Sequence, residues 1–215
     1  MVSCSVTTTT ARTWDLIHAE RAALADDLRG LDDDRWATPS LCAGLTVREV
    51  LAHLTAAASL DGLRWFAGVV RCRFDFDAQV AMRLAEQLGD SPAETFARFE
   101  RVVRSTTTPP LPRPAILGEA VVHGEDIRRP LGITRVYPAE VVDAVARYYA
   151  GTDQVVVARR RVRGLRLVAT DGGFTAGAGP EVSGPTLALV MAMTGRSVFC
   201  DELTGPGVGV LRARC

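Results

Sequence analysis

Apolar residues recur at helical spacing up to about residue 135 and at a shorter, alternating spacing afterwards. From Thr13 to Leu31, Trp14, Ile17, Leu24, Leu28 and Leu31 fall on one face with charged residues opposite, which predicts a first helix. Thr46 and Glu49 have the T-x-x-E spacing of a capping box, so a second helix should start there and run through His53 toward Val69. Ser91 followed by Pro92 opens a third, along which Phe96, Phe99, Val102 and Val103 repeat, and 77–88 is a shorter helical candidate. Pro109, Pro110, Pro112 and Pro114 interrupt regular structure before a fourth helix at 116–128, stopped by Pro130 and Gly132.

Beyond Tyr137 the pattern predicts a helix at 139–149, another at 184–194, and strands at 155–157, 165–169 and 207–212 between glycine-rich turns. The expected architecture is therefore a four-helix bundle over 1–135 followed by a small α+β domain over 136–215.

Composition adds mainly exclusions. The chain has 215 residues, 47% apolar and 23% charged, with a formal net charge of zero, as an ordinary globular protein has. Nothing in that balance asks for a polyanionic partner, and the run Arg159, Arg160, Arg161, Arg163 and Arg166 reads as the solvated face of a strand, not as a nucleic-acid surface. No stretch is long and apolar enough to span a bilayer, and the N-terminus lacks the basic start and apolar centre of a signal peptide, so a cytoplasmic location is expected, without a membrane partner. Cys4, Cys42, Cys72, Cys200 and Cys215 are odd in number and form no C-x-x-C pair, which argues for thiols over disulfides or a cysteine zinc site. Lys and Asn are both absent while Ala, Arg, Gly and Val are abundant, the bias expected of a GC-rich genome.

The chemistry narrows to histidine. His18, His53 and His123 are the only three. Glu119 and His123 stand four apart in 117–123, so on a helix they share a face, with Cβ atoms about 6 Å apart. His53 interrupts the apolar stretch Val50-Leu51-Ala52-His53-Leu54 and should point inward. Two imidazoles and a carboxylate suit zinc or another borderline divalent ion and leave a coordination position open. By spacing alone a hydrogen-bonded core histidine and an ordinary i,i+4 surface pair are the favoured reading over a metal site, because E-x-x-x-H is far less specific than H-E-x-x-H.

Resemblance adds to this. The segment from Trp36 to Leu54, with Pro39-Ser40-Leu41-Cys42-Ala43-Gly44 and Thr46-Val47-Arg48-Glu49 ahead of His53, resembles the signature of the mycothiol-dependent maleylpyruvate isomerase-like proteins of the DinB/YfiT-like superfamily. Glu119 to His123 followed by Gly124-Glu125-Asp126-Ile127-Arg128 is similar to the family's second signature, and 164–171 and 184–196 resemble its sterol-carrier-like α+β domain. The resemblance implies a DinB-like bundle holding zinc through His53, Glu119 and His123, with mycothiol, the small thiol of actinobacteria, as cosubstrate and a small electrophile as substrate. It implies a mycothiol-dependent isomerase or S-transferase. The stretch between His53 and Glu119 is short for the family, which bears on the substrate pocket.

A non-catalytic metal- or ligand-binding regulatory protein and a hydrolase using zinc-bound hydroxide are the alternatives. Asp126, three residues past His123, can orient its imidazole or replace Glu119 as ligand. His18 is a further candidate that reads more simply as solvated. Glu125 is expected on an exposed face, Trp36, Trp65 and Cys42 as packing, with no base near Cys42, and Arg212 and Arg214 as candidates for an acidic substrate.

Overall fold

The computed structural model describes the backbone of residues 3–215 and side chains from residue 11 onward, so the Cys4 thiol lies outside the described residues. The chain divides into two compact units, Met1–Arg135 and Val136–Cys215. The first is helical: α1 (Ser3–Leu28), α2 (Val47–Ser59), α3 (Gly62–Arg71), α4 (Phe76–Gln87), α5 (Pro92–Val102) and α6 (Arg113–Arg128), with a 3₁₀ turn at Asp33–Ala37. Helix α1 packs on α5 and α6, and α2 packs on α4, α5 and α6. Leu24, Leu28, Val47, Val50, Leu51, Leu54, Phe99 and Ile127 close into one core around Trp36.

The capping box forms: Glu49 N–H donates to Thr46 Oγ1 at 3.3 Å and Thr46 N–H to the Glu49 carboxylate at 2.8 Å. The helix it opens is shorter than expected. It ends at Ser59, and Asp61 caps a new helix by accepting from Arg64 N–H at 2.8 Å. The turn between α3 and α4 holds Arg73 and Phe74 at φ of 52° and 67°, left-handed conformations that cost non-glycine residues free energy. Helix α1 starts at Ser3, ten residues before Thr13, a start the apolar pattern does not show because the threonine run carries no periodicity. Helix α6 starts at Arg113, with Pro114 in the first turn, where a missing N–H is harmless.

Two buried ion pairs fix α1 within this unit. Arg135 Nε and Nη2 donate to the two Glu20 oxygens at 2.7 and 2.9 Å, and Arg128 Nε donates to Asp27 at 2.7 Å. The Glu20 and Arg128 side chains are almost wholly removed from solvent.

The second unit holds α7 (Ala139–Gly151), β1 (Arg166–Ala169), β2 (Thr175–Gly177), β3 (Glu181–Gly184), α8 (Thr186–Met193), a 3₁₀ turn at Ser197–Glu202 and α9 (Val208–Arg212). The sheet has the order β2-β1-β3, with β1 antiparallel to β2 and parallel to β3. Helix α8 packs on α7, and Asp171 ties its start to the sheet by accepting from Thr186 N–H at 2.8 Å and Thr186 Oγ1 at 2.6 Å.

Three strand expectations are corrected or extended here. Residues 155–157 are bends, and 207–212 form α9: alternating Gly and Val mimics a strand, but glycine has no side chain to define a face, and Leu211 is the buried anchor. The strands β2 and β3 were hidden among residues that read as turns. A side chain at Gly177 or Gly179, both at positive φ, would collide with the backbone carbonyls of Leu165 and Gly164, so glycine is what lets the sheet close there. Nor do Arg159 to Arg163 face solvent from a strand. They lie in turns, where the guanidinium of Arg161 donates to the carbonyls of Met193 and Arg214.

Candidate metal centre

Helix α6 is buried on almost every side, from Ala115 through Arg128, and shows no amphipathic face. A central helix of this kind carries its polar side chains into the core. This explains why Glu125, expected to be exposed, is 5% exposed. It also explains why Glu119 and His123 form more than a surface pair. Helix α2 delivers His53 two turns after its capping box, among buried Leu51, Ala52 and Leu54.

The two elements bring the two imidazoles together. The rings of His53 and His123 meet edge to face with centroids 4.9 Å apart. Glu119, one helical turn before His123, has an oxygen, Oε2, that is buried with no hydrogen-bond partner. A buried carboxylate oxygen left this way costs free energy unless something positive fills the place. Burial pushes the Glu119 carboxyl above its ordinary range, against the opposing pull of His123 and Arg21. Burial, reinforced by His123, pulls the His53 imidazole down to about 3, so it stays neutral with a lone pair available at any physiological pH.

Asp126 and Cys42 complete the surroundings. His123 Nδ1 stands 2.9 Å from Asp126 Oδ2. An ionised carboxylate only accepts, so Nδ1 is the donor in this pair. Cys42, expected to be remote from any base, has its sulfur within 4.8 Å of ligand atoms of both His123 and Asp126. The loop that holds it is pinned to α6 by Leu41 N–H donating to the Asp126 carbonyl at 3.1 Å. Among the described residues, Cys42, His123 and Asp126 are thus the donor set whose ligand atoms all lie within 4.8 Å of one another, whereas His53 and Glu119 are not drawn so close to His123.

Arg21 was not singled out from the sequence. It is 4% exposed on α1, donates to the Ser105 carbonyl at 3.0 Å and interacts electrostatically with Glu119. Burial lowers its guanidinium to about 10, which leaves it cationic at neutral pH. The only sequence signal was an arginine beside a helix face otherwise apolar. His18 lies apart from the cluster: its Nε2–H donates to the Ser105 carbonyl at 3.2 Å and its ring stacks on Trp14. Trp36 is core, but Trp65 lines the cavity that His53 and Glu119 face. Arg212 pairs with Asp201 at 2.7 Å, and Arg214 donates to the carbonyls of Arg161 and Arg163, so both have structural partners in their own unit.

Among the described residues, no helix is long and apolar enough to cross a membrane. No curated protein matches the sequence. Two solved structures share the fold: the mycothiol-dependent maleylpyruvate isomerase, at 15% identity and a TM-score of 0.60, and a histidine-to-alanine mutant of it, at 14% and 0.61. Each comparison covers 91% of this chain and 92% of the other. Residues 17–110 match the family model of the mycothiol maleylpyruvate isomerase N-terminal domain, a span that contains His53, while Glu119 and His123 lie beyond it. Over residues 17–110 the chain is thus similar to the N-terminal domain of the mycothiol maleylpyruvate isomerases, and its fold is the one those two structures share.

Proposed function

We propose that this isomerase-like protein is a zinc-dependent enzyme of thiol chemistry, an isomerase or S-transferase that uses mycothiol on a small electrophile, with His53, Glu119 and His123 as the metal ligands. The observations that support the reading are the buried, unpartnered Glu119 oxygen and the contact between the His53 and His123 rings. A divalent cation is the partner that such a donor set lacks. Coordination of a thiol to such an ion lowers its pKa and supplies a thiolate near neutral pH.

The chain's own residues have separable tasks. His53 remains neutral because it is buried, so proton competition at this position is weak. Asp126 holds the His123 proton on Nδ1 and turns Nε2 toward the cluster, the usual arrangement behind a metal-binding histidine. Arg21 balances the Glu119 charge from the α1 side. Leu60, Trp65 and Leu111 give the adjoining cavity an apolar lining.

The nearness of Cys42 favours a second reading, in which the ion sits between Cys42, His123 Nδ1 and Asp126. Metal analysis of purified protein decides between them. The first reading expects one zinc per chain, lost in His53→Ala and Glu119→Gln and kept in Cys42→Ala. Zinc kept in the first two and lost in the third would transfer the site to the second set. Mycothiol added to cobalt-substituted protein should produce a thiolate charge-transfer band, and an unchanged spectrum at saturation contradicts the thiol chemistry.

A further inference from the structure

The cavity beside the candidate centre has a lining that bears on its substrate. His53 and Glu119 stand on one wall of a space of about 150 Å3, and most of the rest is apolar: Leu60, Trp65, Phe76, Val80 and Leu111. Trp65 and Phe76 stack, with ring centroids 6.4 Å apart and an interplanar angle of 29°, forming a flat wall. Arg83 is the cation among the described lining residues, and its ends are engaged. Nη1 donates to both Glu86 oxygens at 3.1 and 2.9 Å, Nη2 to the Arg64 carbonyl at 2.6 Å, and the guanidinium lies against Gly68 of α3. A carboxylate entering this space finds both Nη groups of Arg83 committed to other acceptors and its unpartnered Nε–H buried.

The apolar surface continues past the rim. Phe76 and Val80 line the cavity and are also 57% and 46% exposed. On α3, Leu63, Phe66 and Val70 follow at i, i+3 and i+7 with exposures of 86, 60 and 52%, and Phe74 in the strained turn adds 67%. Helix α3 thus turns an apolar stripe outward while Gly68 and Val69 face in. A contiguous apolar patch rimming a pocket marks a place where apolar matter binds.

We propose that the cavity takes a neutral electrophile with an apolar body, an α,β-unsaturated carbonyl on an alkyl or aryl chain, with its reacting end toward His53 and Glu119. Its chain runs past Trp65 and Phe76 onto the α3–α4 stripe. This rests on the thiol reading, which is what calls for an electrophile. In the addition, the thiolate sulfur bonds to the β carbon, the C=C π pair moves to the α carbon, and that carbon takes the proton the thiol gave up. Reversal after rotation gives isomerisation, and release of the adduct gives transfer.

Calorimetric titration with 2-alkanones of increasing chain length, and with straight-chain carboxylates of matching length, tests the substrate class. Saturated ketones need neither metal nor thiol, so the titration is run on zinc-loaded and zinc-free protein alike. Ketone affinity should rise about fourfold per methylene and exceed that of the carboxylates. Trp65→Ala should weaken all the ketones, whereas Leu63→Ser and Phe66→Ser, on the surface, should weaken only the long ones. Carboxylates binding as tightly as ketones, or affinity independent of chain length, would overturn the proposal. A concentration-dependent dimer abolished by Leu63→Ser would assign the stripe to a second copy and overturn the path of the chain. Zinc content and the mycothiol titration judge the thiol reading separately, so failure of the ketone series with those intact removes only the substrate class.

Discussion

His53 on α2 and His123 on α6 present their imidazoles edge to face, 4.9 Å between centroids, with the unpartnered Glu119 oxygen one turn away. Two imidazoles and a carboxylate oxygen buried without a hydrogen-bond partner in a helical core are unfavourable without an ion. The site's stability and its function should therefore pull against each other.

Glu119→Gln tests this opposition. Removing a desolvated charge should stabilise the metal-free protein, by roughly 1 kcal/mol, while abolishing zinc binding. The sign follows from the raised Glu119 pKa. A carboxyl whose folded pKa lies above its unfolded value adds stability that is fully present below the unfolded pKa and is lost as pH rises through the folded one. Metal-free wild type should accordingly gain stability relative to Glu119→Gln as pH falls toward the unfolded pKa of Glu119. Urea unfolding in chelator across that range checks it, and parallel pH profiles for the two proteins would contradict it.

Asp126→Asn removes the acceptor that holds the His123 proton on Nδ1. Zinc affinity should fall by about 10–100-fold with the stoichiometry unchanged, as read by competition against a chromophoric chelator. Complete loss of zinc would instead make Asp126 a ligand.

The Glu20–Arg135 pair gives a prediction about the scaffold. Glu20 is buried and Arg135 partly exposed, so Arg135→Ala strands a carboxylate in the core and should cost about 3 kcal/mol of unfolding free energy. The double variant Glu20→Leu/Arg135→Met should recover most of that in chemical denaturation.

Thr46→Ala removes the side-chain half of the capping box at the start of the helix that carries His53. It should lower stability by about 1 kcal/mol without changing zinc content, because His53 lies two turns further along.

The sequence makes plain those features that depend on local spacing. The Thr46–Glu49 cap, the Ser91–Pro92 start and the Glu119–His123 spacing each lie within four residues, and each can be read from one stretch of chain. What stays hidden depends on which elements surround a residue. Glu125 looks exposed because a helical wheel cannot show that α6 is central, and Arg21 looks ordinary because its relation to Glu119 spans two helices. Cys42 looks remote from any base for the same reason: its loop is brought to α6 by one backbone hydrogen bond, Leu41 to Asp126. In the second unit, strands of three or four residues punctuated by glycine carry too few side chains to show a period.

The most direct test of the account is the zinc content of wild type, His53→Ala, Glu119→Gln and Cys42→Ala, purified identically and shown to be folded. The account predicts one zinc per chain in wild type and Cys42→Ala and none in His53→Ala and Glu119→Gln. Equal zinc in all four, or its loss in Cys42→Ala alone, would contradict it.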